Sequence, residues 1–249
     1  MEDPQAVVAN ARMLGISDWI VANDVAAARW YQKRREEAGE KDGAQKVLVW
    51  NSLGISETTL QIVKNDPDPV RDFDLLVLGY PYPTRAKLVR EMLRACPTTW
   101  KVATIGDGWD RELGNGTVTT FPTLDEVQSA RLCRRAKVIV STHRRQDDAG
   151  GFPVMAPESV HRGFVEAAFG AAVLIDSDRS FGDAKMRFIR FKDGPDAASK
   201  AFSLIRDETR RAAIAAHNKA VALAECTFEA RLTEILNCIR GQRWSAVIR

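Results

Sequence analysis

Residues 72–105 read DFDLLVLGYPYPTRAKLVREMLRACPTTWKVATI. The run 74–78 (DLLVL) is apolar from Leu75 on, 84–95 places Leu88, Met92 and Leu93 on one side of a helix, and 101–105 (KVATI) is a second short run, largely apolar after its lysine. Strand, helix after the Pro83 turn and strand again make a crossover unit whose two strands lie parallel. Thr84 is expected as the helix N-cap. The pattern repeats outward, with strands expected at 18–22 (DWIVA), 46–50 (KVLVW), 117–121, 137–141 (KVIVS), 172–175 (AVLI) and 187–191, and with helices at 124–136 and 160–169. Such alternation specifies an α/β fold with a parallel sheet flanked by helices. The continuous apolar runs suit strands covered on both faces. After the sheet, residues 197–239 are almost wholly helical in pattern.

Two segments read as linkers. Residues 33–43 (KRREEAGEKDG) are charged and end a helix that begins near Asp24, and residues 56–72 contain NDPDPVRD, whose prolines break regular structure. At 249 residues the chain falls between one domain and two on a rough prior of about 150 residues each. The expected division is a short N-terminal remnant with its linker over 1–43, a main domain over 44–241 and a tail over 242–249.

Composition narrows the function. Lys and Arg number 36 against 33 Asp and Glu, a formal charge of +3, so the balance demands neither nucleic acid nor an anionic membrane as partner. With 45% hydrophobic and 28% charged residues the chain is an ordinary globular one. The four cysteines form no C-x-x-C pair and read as reduced, mostly buried thiols rather than a zinc or redox site. The acidic start MEDPQ is no secretory signal, and no run approaches the ~18 apolar residues of a membrane span, so a cytoplasmic location is expected.

The richest chemistry lies at 156–176, APESVHRGFVEAAFGAAVLID. Glu158 falls in the loop ahead of a helix and Glu166 on it, so both can face the cleft at the carboxyl end of the preceding strand, where open α/β sheets bind ligands. Ionised carboxylates there accept hydrogen bonds from sugar or ribose hydroxyls, and the helix start offers N–H groups to a phosphate. Gly170 suits the left-handed residue that ends this helix.

E-x7-E followed by A-A-x-G and an apolar strand resembles the donor-site signature of retaining glycosyltransferases with the two-Rossmann GT-B fold. STHRR ahead of it and HRGFVEAAFGAAVLID within it resemble the CgeB-like group. DFDLLVLGYPYPTR resembles the strand and glycine loop that open the donor domain, KVATIGDGWD the IGDGP turn, CRRAKVIVSTHRR the following strand, and CTFEARLTEIL the closing helix with its Thr227 and Arg231 spacing. The resemblance implies the C-terminal donor-binding domain of a GT-B enzyme. A nucleoside-diphosphate sugar would be the co-substrate, with no other cofactor and no catalytic metal. Gly79 would let the diphosphate approach the backbone, Gly106 would belong to the same binding edge, and Arg85 would neutralise the phosphates. Glu166 would hold the ribose, Glu158 would contact donor-sugar hydroxyls, and His143 would sit near the pyrophosphate or sugar. The glycines usual after the first glutamate are replaced by Ser159, Val160 and His161, which makes the loop bulkier. The acceptor half would come from a partner domain or a dimer mate, and the acceptor is unassigned.

Plainer readings stand beside these. Glu158 and Glu166 read equally as helix-start and surface carboxylates, His143 as a structural histidine, and Arg85 as a solvated helix residue, although a cation there opposes the helix dipole. A non-catalytic nucleotide-sugar binder is one alternative function and a nucleic-acid-binding protein another. For the latter, Arg131, Arg134, Arg135, Lys137, Arg144 and Arg145 form a basic cluster that reads better as a solvated face. The turn at Gly106-Asp107-Gly108 is no dinucleotide fingerprint, because Arg111 takes the third glycine position. Asp176-Ser177-Asp178 has a metal-binding spacing at a place where the resemblance expects a turn.

Overall fold

The computed structural model describes residues 17–22, 25–40, 46–49, 54–114, 116, 118–142, 163–176 and 185–241. Each of the eight expected strands is present, with ends differing by no more than two residues: β1 Ile20–Ala22, β2 Val47–Val49, β3 Phe73–Leu78, β4 Val102–Ile105, β5 Val118–Phe121, β6 Ala136–Ser141, β7 Ala172–Ile175 and β8 Ile189–Arg190. The described helices are α1 Val25–Glu37, α2 Glu57–Asn65, α3 Pro83–Ala95, α4 Trp109–Leu113, α5 Glu126–Arg134, α6 Gly163–Ala167, α7 Gly194–Arg206, α8 Glu208–Glu225 and α9 Phe228–Ile239.

β3 to β8 form one parallel sheet in the order β5-β4-β3-β6-β7-β8, and β1 pairs β2 in a separate parallel pair bridged by α1. Counted from β3, this order is 3-2-1-4-5-6, the doubly wound Rossmann arrangement, with its topological switch between β3 and β6. Leu76 sits opposite Ala103 on one neighbour and Ile139 on the other. Period-two alternation sends Leu75, Val77, Val138, Val140 and Leu174 into the layer under α3 and α7, while Leu76, Ala103 and Ile139 pack against the α2 and α5 side. Burial on both faces explains why these strands lack a polar register.

The helix expected to begin near Asp24 and end within 33–43 is α1, which runs to Glu37, and its Arg35, only 1% exposed, donates to the carbonyls of Ser17 and Asp18 and pairs with Glu40. Two local expectations are corrected. The 56–72 segment holds α2 ahead of its prolines, capped by the Ser56 side chain accepting from Thr59 N. Thr84 is not an N-cap: Tyr82 takes that position without a side-chain cap bond, and Pro83 opens the helix, where its missing N–H costs nothing. Gly170 follows α6 at φ 72°, the left-handed conformation expected of it.

Candidate active site at the carboxyl edge of the sheet

The carboxyl ends of β3, β4 and β5 are tied together by backbone hydrogen bonds from the loops that leave them. Gly79 N donates to Ile105 O at 2.8 Å, and Gly106 N donates to Phe121 O at 3.0 Å, so each strand end hands its hydrogen bonding to its neighbour. Both glycines have positive φ, 103° and 134°, conformations that a side chain strains. Trp109, fully buried at the start of α4, donates its indole N–H to Gly79 O at 2.7 Å and fixes the β3 loop against the β4 loop. Farther along the edge, Thr123 donates from its N (3.0 Å) and its Oγ1 (2.7 Å) to the Asp107 carboxylate, and these bonds hold Asp107 below the usual carboxylate range. Tyr80 Oη lies 3.3 Å from Thr123 Oγ1.

Arg85 stands at the switch point itself. One turn into α3, it is 6% exposed rather than solvated. Its Nε donates to Thr142 Oγ1 at 2.5 Å, Nη2 to Thr142 O at 3.1 Å, and Nη1 to Tyr80 O at 2.6 Å. The Tyr82 ring covers its guanidinium at 5.5 Å. One cation thus spans from the loop after β3 to the end of β6, across the crevice where doubly wound sheets take their ligands. The positive charge lies beside the α3 N-terminus, whose own dipole end is positive, and the two together make the crevice attractive to an anion.

Of the expected site residues, the structure brings Gly79, Gly106 and Arg85 to one edge of the sheet. Glu166 is 1% exposed on α6, the helix that leads into β7. His143 and Glu158 lie outside the described residues. Sequence reasoning passed over Thr142, Tyr80 and Trp109; the signal for the last was an aromatic placed directly after the G-D-G turn. Among the described residues no group of three or more His, Cys, Asp or Glu could hold a metal ion. A cavity of about 270 Å³, lined by Arg90, Trp100, Val102, Glu112 and Val118 among others, lies at the amino ends of β4 and β5, away from this edge.

Of the basic cluster, Arg131 is exposed and Arg135 partly exposed, as expected of a solvated face, Arg134 is turned inward, and Arg144 and Arg145 lie outside the described residues. Arg134 is buried and donates to the carbonyls of Ile62, Asp66 and Pro67, which caps the end of α2. Arg131 pairs with Asp66, Arg135 with Asp72 and Lys137 with Asp74.

The family described as glycosyl transferase-like matches residues 85–237, more than half of the chain. The chain belongs to that family. Among solved structures it resembles HepE of Anabaena, solved in complex with UDP and glucose, at a TM-score of 0.61 and 14% identity over 96% of this chain and 68% of that one. It also resembles the α,α-trehalose 6-phosphate synthase of Burkholderia multivorans (TM-score 0.58, 13% identity, 97% of this chain and 64% of that one). A third is the sucrose-phosphate synthase of Thermosynechococcus elongatus (TM-score 0.57, 13% identity, 97% and 62%). The chain therefore spans about two thirds of the length of these proteins. A search of the curated proteins finds no match. The sheet order and these likenesses make the fold the Rossmann-like α/β fold of a GT-B glycosyltransferase domain. No described helix is long and apolar enough to cross a membrane.

Proposed function

We propose that this chain binds a nucleoside-diphosphate sugar at the β3–β6 switch point and serves as the donor-binding domain of a glycosyltransferase of the CgeB-like group. The observation that carries this reading is Arg85: a buried guanidinium held across the crevice between two strand ends, beside a helix N-terminus. HepE, which shares the fold, is solved with UDP and with UDP-glucose, in keeping with that donor class.

In this reading Gly79 and Gly106 let the diphosphate approach the backbone, and Arg85 and backbone N–H groups stabilise leaving-group charge without a metal. Glu166 holds the ribose. Glu158 contacts the donor sugar, and His143 lies near the pyrophosphate or sugar. Transfer retains configuration, so this half needs no dedicated base. Residues 44–241 act as the donor domain, 1–43 as the remnant of an N-terminal half and 242–249 as a tail, in a cytoplasmic setting.

Calorimetry with UDP, GDP and ADP tests the binding claim. Saturable binding to at least one is expected, weakened about tenfold or more by Arg85→Ala, the scale of a lost charge-assisted contact to phosphate, and weakened also by Glu166→Ala. No saturable signal with any of the three, or wild-type affinity in both variants, would sink it. Activity that EDTA abolishes would refute the metal-free mechanism.

A second reading is a nucleotide-sugar binder that turns over only with an acceptor half from a partner domain or a dimer mate. It is favoured by the two-thirds span of the structural neighbours. Transfer or donor hydrolysis by the isolated chain would exclude it. The near-even charge balance and the carboxylates beside Arg131, Arg135 and Lys137 weigh against nucleic-acid binding, and salt-sensitive retention on DNA or RNA would reverse that judgement.

A further inference from the structure

We propose that α9 docks on α9 of a second copy of this chain, antiparallel, about a two-fold axis near Glu234. The helix is anchored at its start: Ile55 N donates to Cys226 O at 2.7 Å, Phe228 N donates to Ile55 O at 3.2 Å, and the Thr227 side chain accepts from Ala230 N at 3.1 Å. Beyond that anchor little of it is covered, and Cys238 is its one buried residue. Phe228, Leu232, Leu236 and Ile239 are 52%, 57%, 38% and 38% exposed. At about 100° per residue the four fall within an arc of about 80°, so they make a single apolar stripe along the solvent side of α9. A short helix with so little packed against the rest of its chain gains most from a partner that covers such a stripe.

The stripe complements itself. Its members are spaced evenly about position 234, so an identical helix laid against it in reverse sets Phe228 opposite Ile239 of the second copy and Leu232 opposite Leu236, the isologous pairing of a two-fold contact. Charge selects the same arrangement. Glu229 and Arg240 flank the stripe on one side, about 100° and 120° round the helix from Phe228, and among the described residues neither has a partner within the chain. In the antiparallel pair Glu229 of each copy comes beside Arg240 of the other, whereas a parallel pair holds the two at opposite ends. Two helices of about 18 Å bury less than the roughly 1,200–2,000 Å² of a stable interface, so the dimer is expected to dissociate in the micromolar range. Association through α9 does not depend on donor binding, so it and the proposed function fail separately.

Sedimentation velocity of the full chain from about 1 to about 200 μM is expected to show a concentration-dependent equilibrium between monomer and dimer. Leu232→Glu changes an exposed side chain and is expected to keep the wild-type circular dichroism while weakening the dimer about tenfold or more. Glu229→Arg and Arg240→Glu each set like charges together and should weaken it about fivefold at low salt, and the double variant should return to within about twofold of wild type. A chain that stays monomeric throughout overturns the proposal, whether the stripe is left bare or covered by another protein. A dimer that Leu232→Glu leaves intact is built on another surface and overturns it equally. Single reversals without effect, or a double variant that does not recover, overturn the antiparallel pairing. Should Leu232→Glu fail to fold, the charge reversals carry the test by themselves.

Discussion

Gly106 lies directly against the peptide of Gly79: a β-carbon on Gly106 would stand 2.9 Å from both the carbonyl carbon and the carbonyl oxygen of Gly79. Backbone packs on backbone at the point where β3 and β4 give way to the loops of the candidate site. Neither partner can yield, because Gly79 O also accepts from buried Trp109 and Gly79 N donates to Ile105 O.

Gly106→Ala therefore combines a clash with a left-handed backbone and is expected to destabilise the fold by about 2–4 kcal/mol. Gly39 also has positive φ, 79°, but nothing within 4 Å of its would-be β-carbon, so Gly39→Ala should show the conformational part alone, about 1 kcal/mol. Urea denaturation of both variants checks this, and equal losses would mean that the close approach carries no energetic weight.

The contact between α3 and α7 is tighter still. A β-carbon on Gly194 would meet Leu88 O and Met92 N at 2.6 Å, so α7 must move off α3 to accept any side chain. Gly194→Ala should cost about 3 kcal/mol or more through loosened packing of the layer that holds Val89, Met92 and Ala197. A denaturation midpoint within error of wild type would contradict it.

Arg134 joins α5 to the end of α2 through three backbone carbonyls. Arg134→Met keeps much of the volume and removes the donors, and about 2–4 kcal/mol of stability should go with the orphaned carbonyls. Native-state hydrogen exchange should show α2 fraying before the central strands. Uniform exchange across the fold would argue that the cap is dispensable.

Glu126 accepts from the hydroxyls of Ser56 and Thr59, bonds that hold its carboxyl below the usual range. A depressed folded value means that this stabilisation is complete above the ordinary carboxylate pKa and is lost as pH falls through the lowered one. Asp72, lowered chiefly by its bonds from Arg135, behaves in the same sense. Melting temperatures taken from pH 7 to pH 3 should fall less steeply in Glu126→Gln than in wild type. Parallel curves would show that Glu126 adds nothing to the acid dependence.

The central strands β3, β4, β6 and β7 are legible because they are buried on both faces, and a run such as LLVL has few other destinations. α1 and α2 were harder to read. In residues 33–43 the charged side chains look like a solvated linker until Arg35 is seen turned inward, and in residues 56–72 the prolines hide a helix that ends before them. The cap of α3 is ambiguous in sequence for a related reason: Thr84 and Pro83 both suit a helix start, and only the backbone distinguishes N-cap from first helical residue.

By itself, the sequence determined the parallel α/β sheet, its strand positions and the glycines at the strand ends. Those follow from hydrophobic periodicity and from backbone conformations that only glycine adopts without strain, both local properties. Tertiary structure alone decided that Arg85 is buried and reaches Thr142, 57 residues away in the chain, that Arg134 turns inward onto the end of α2, and that Gly106 abuts Gly79. Each of these depends on which strand ends become neighbours at the switch point, and that adjacency is set by the order of the strands in the sheet rather than by their order in the chain.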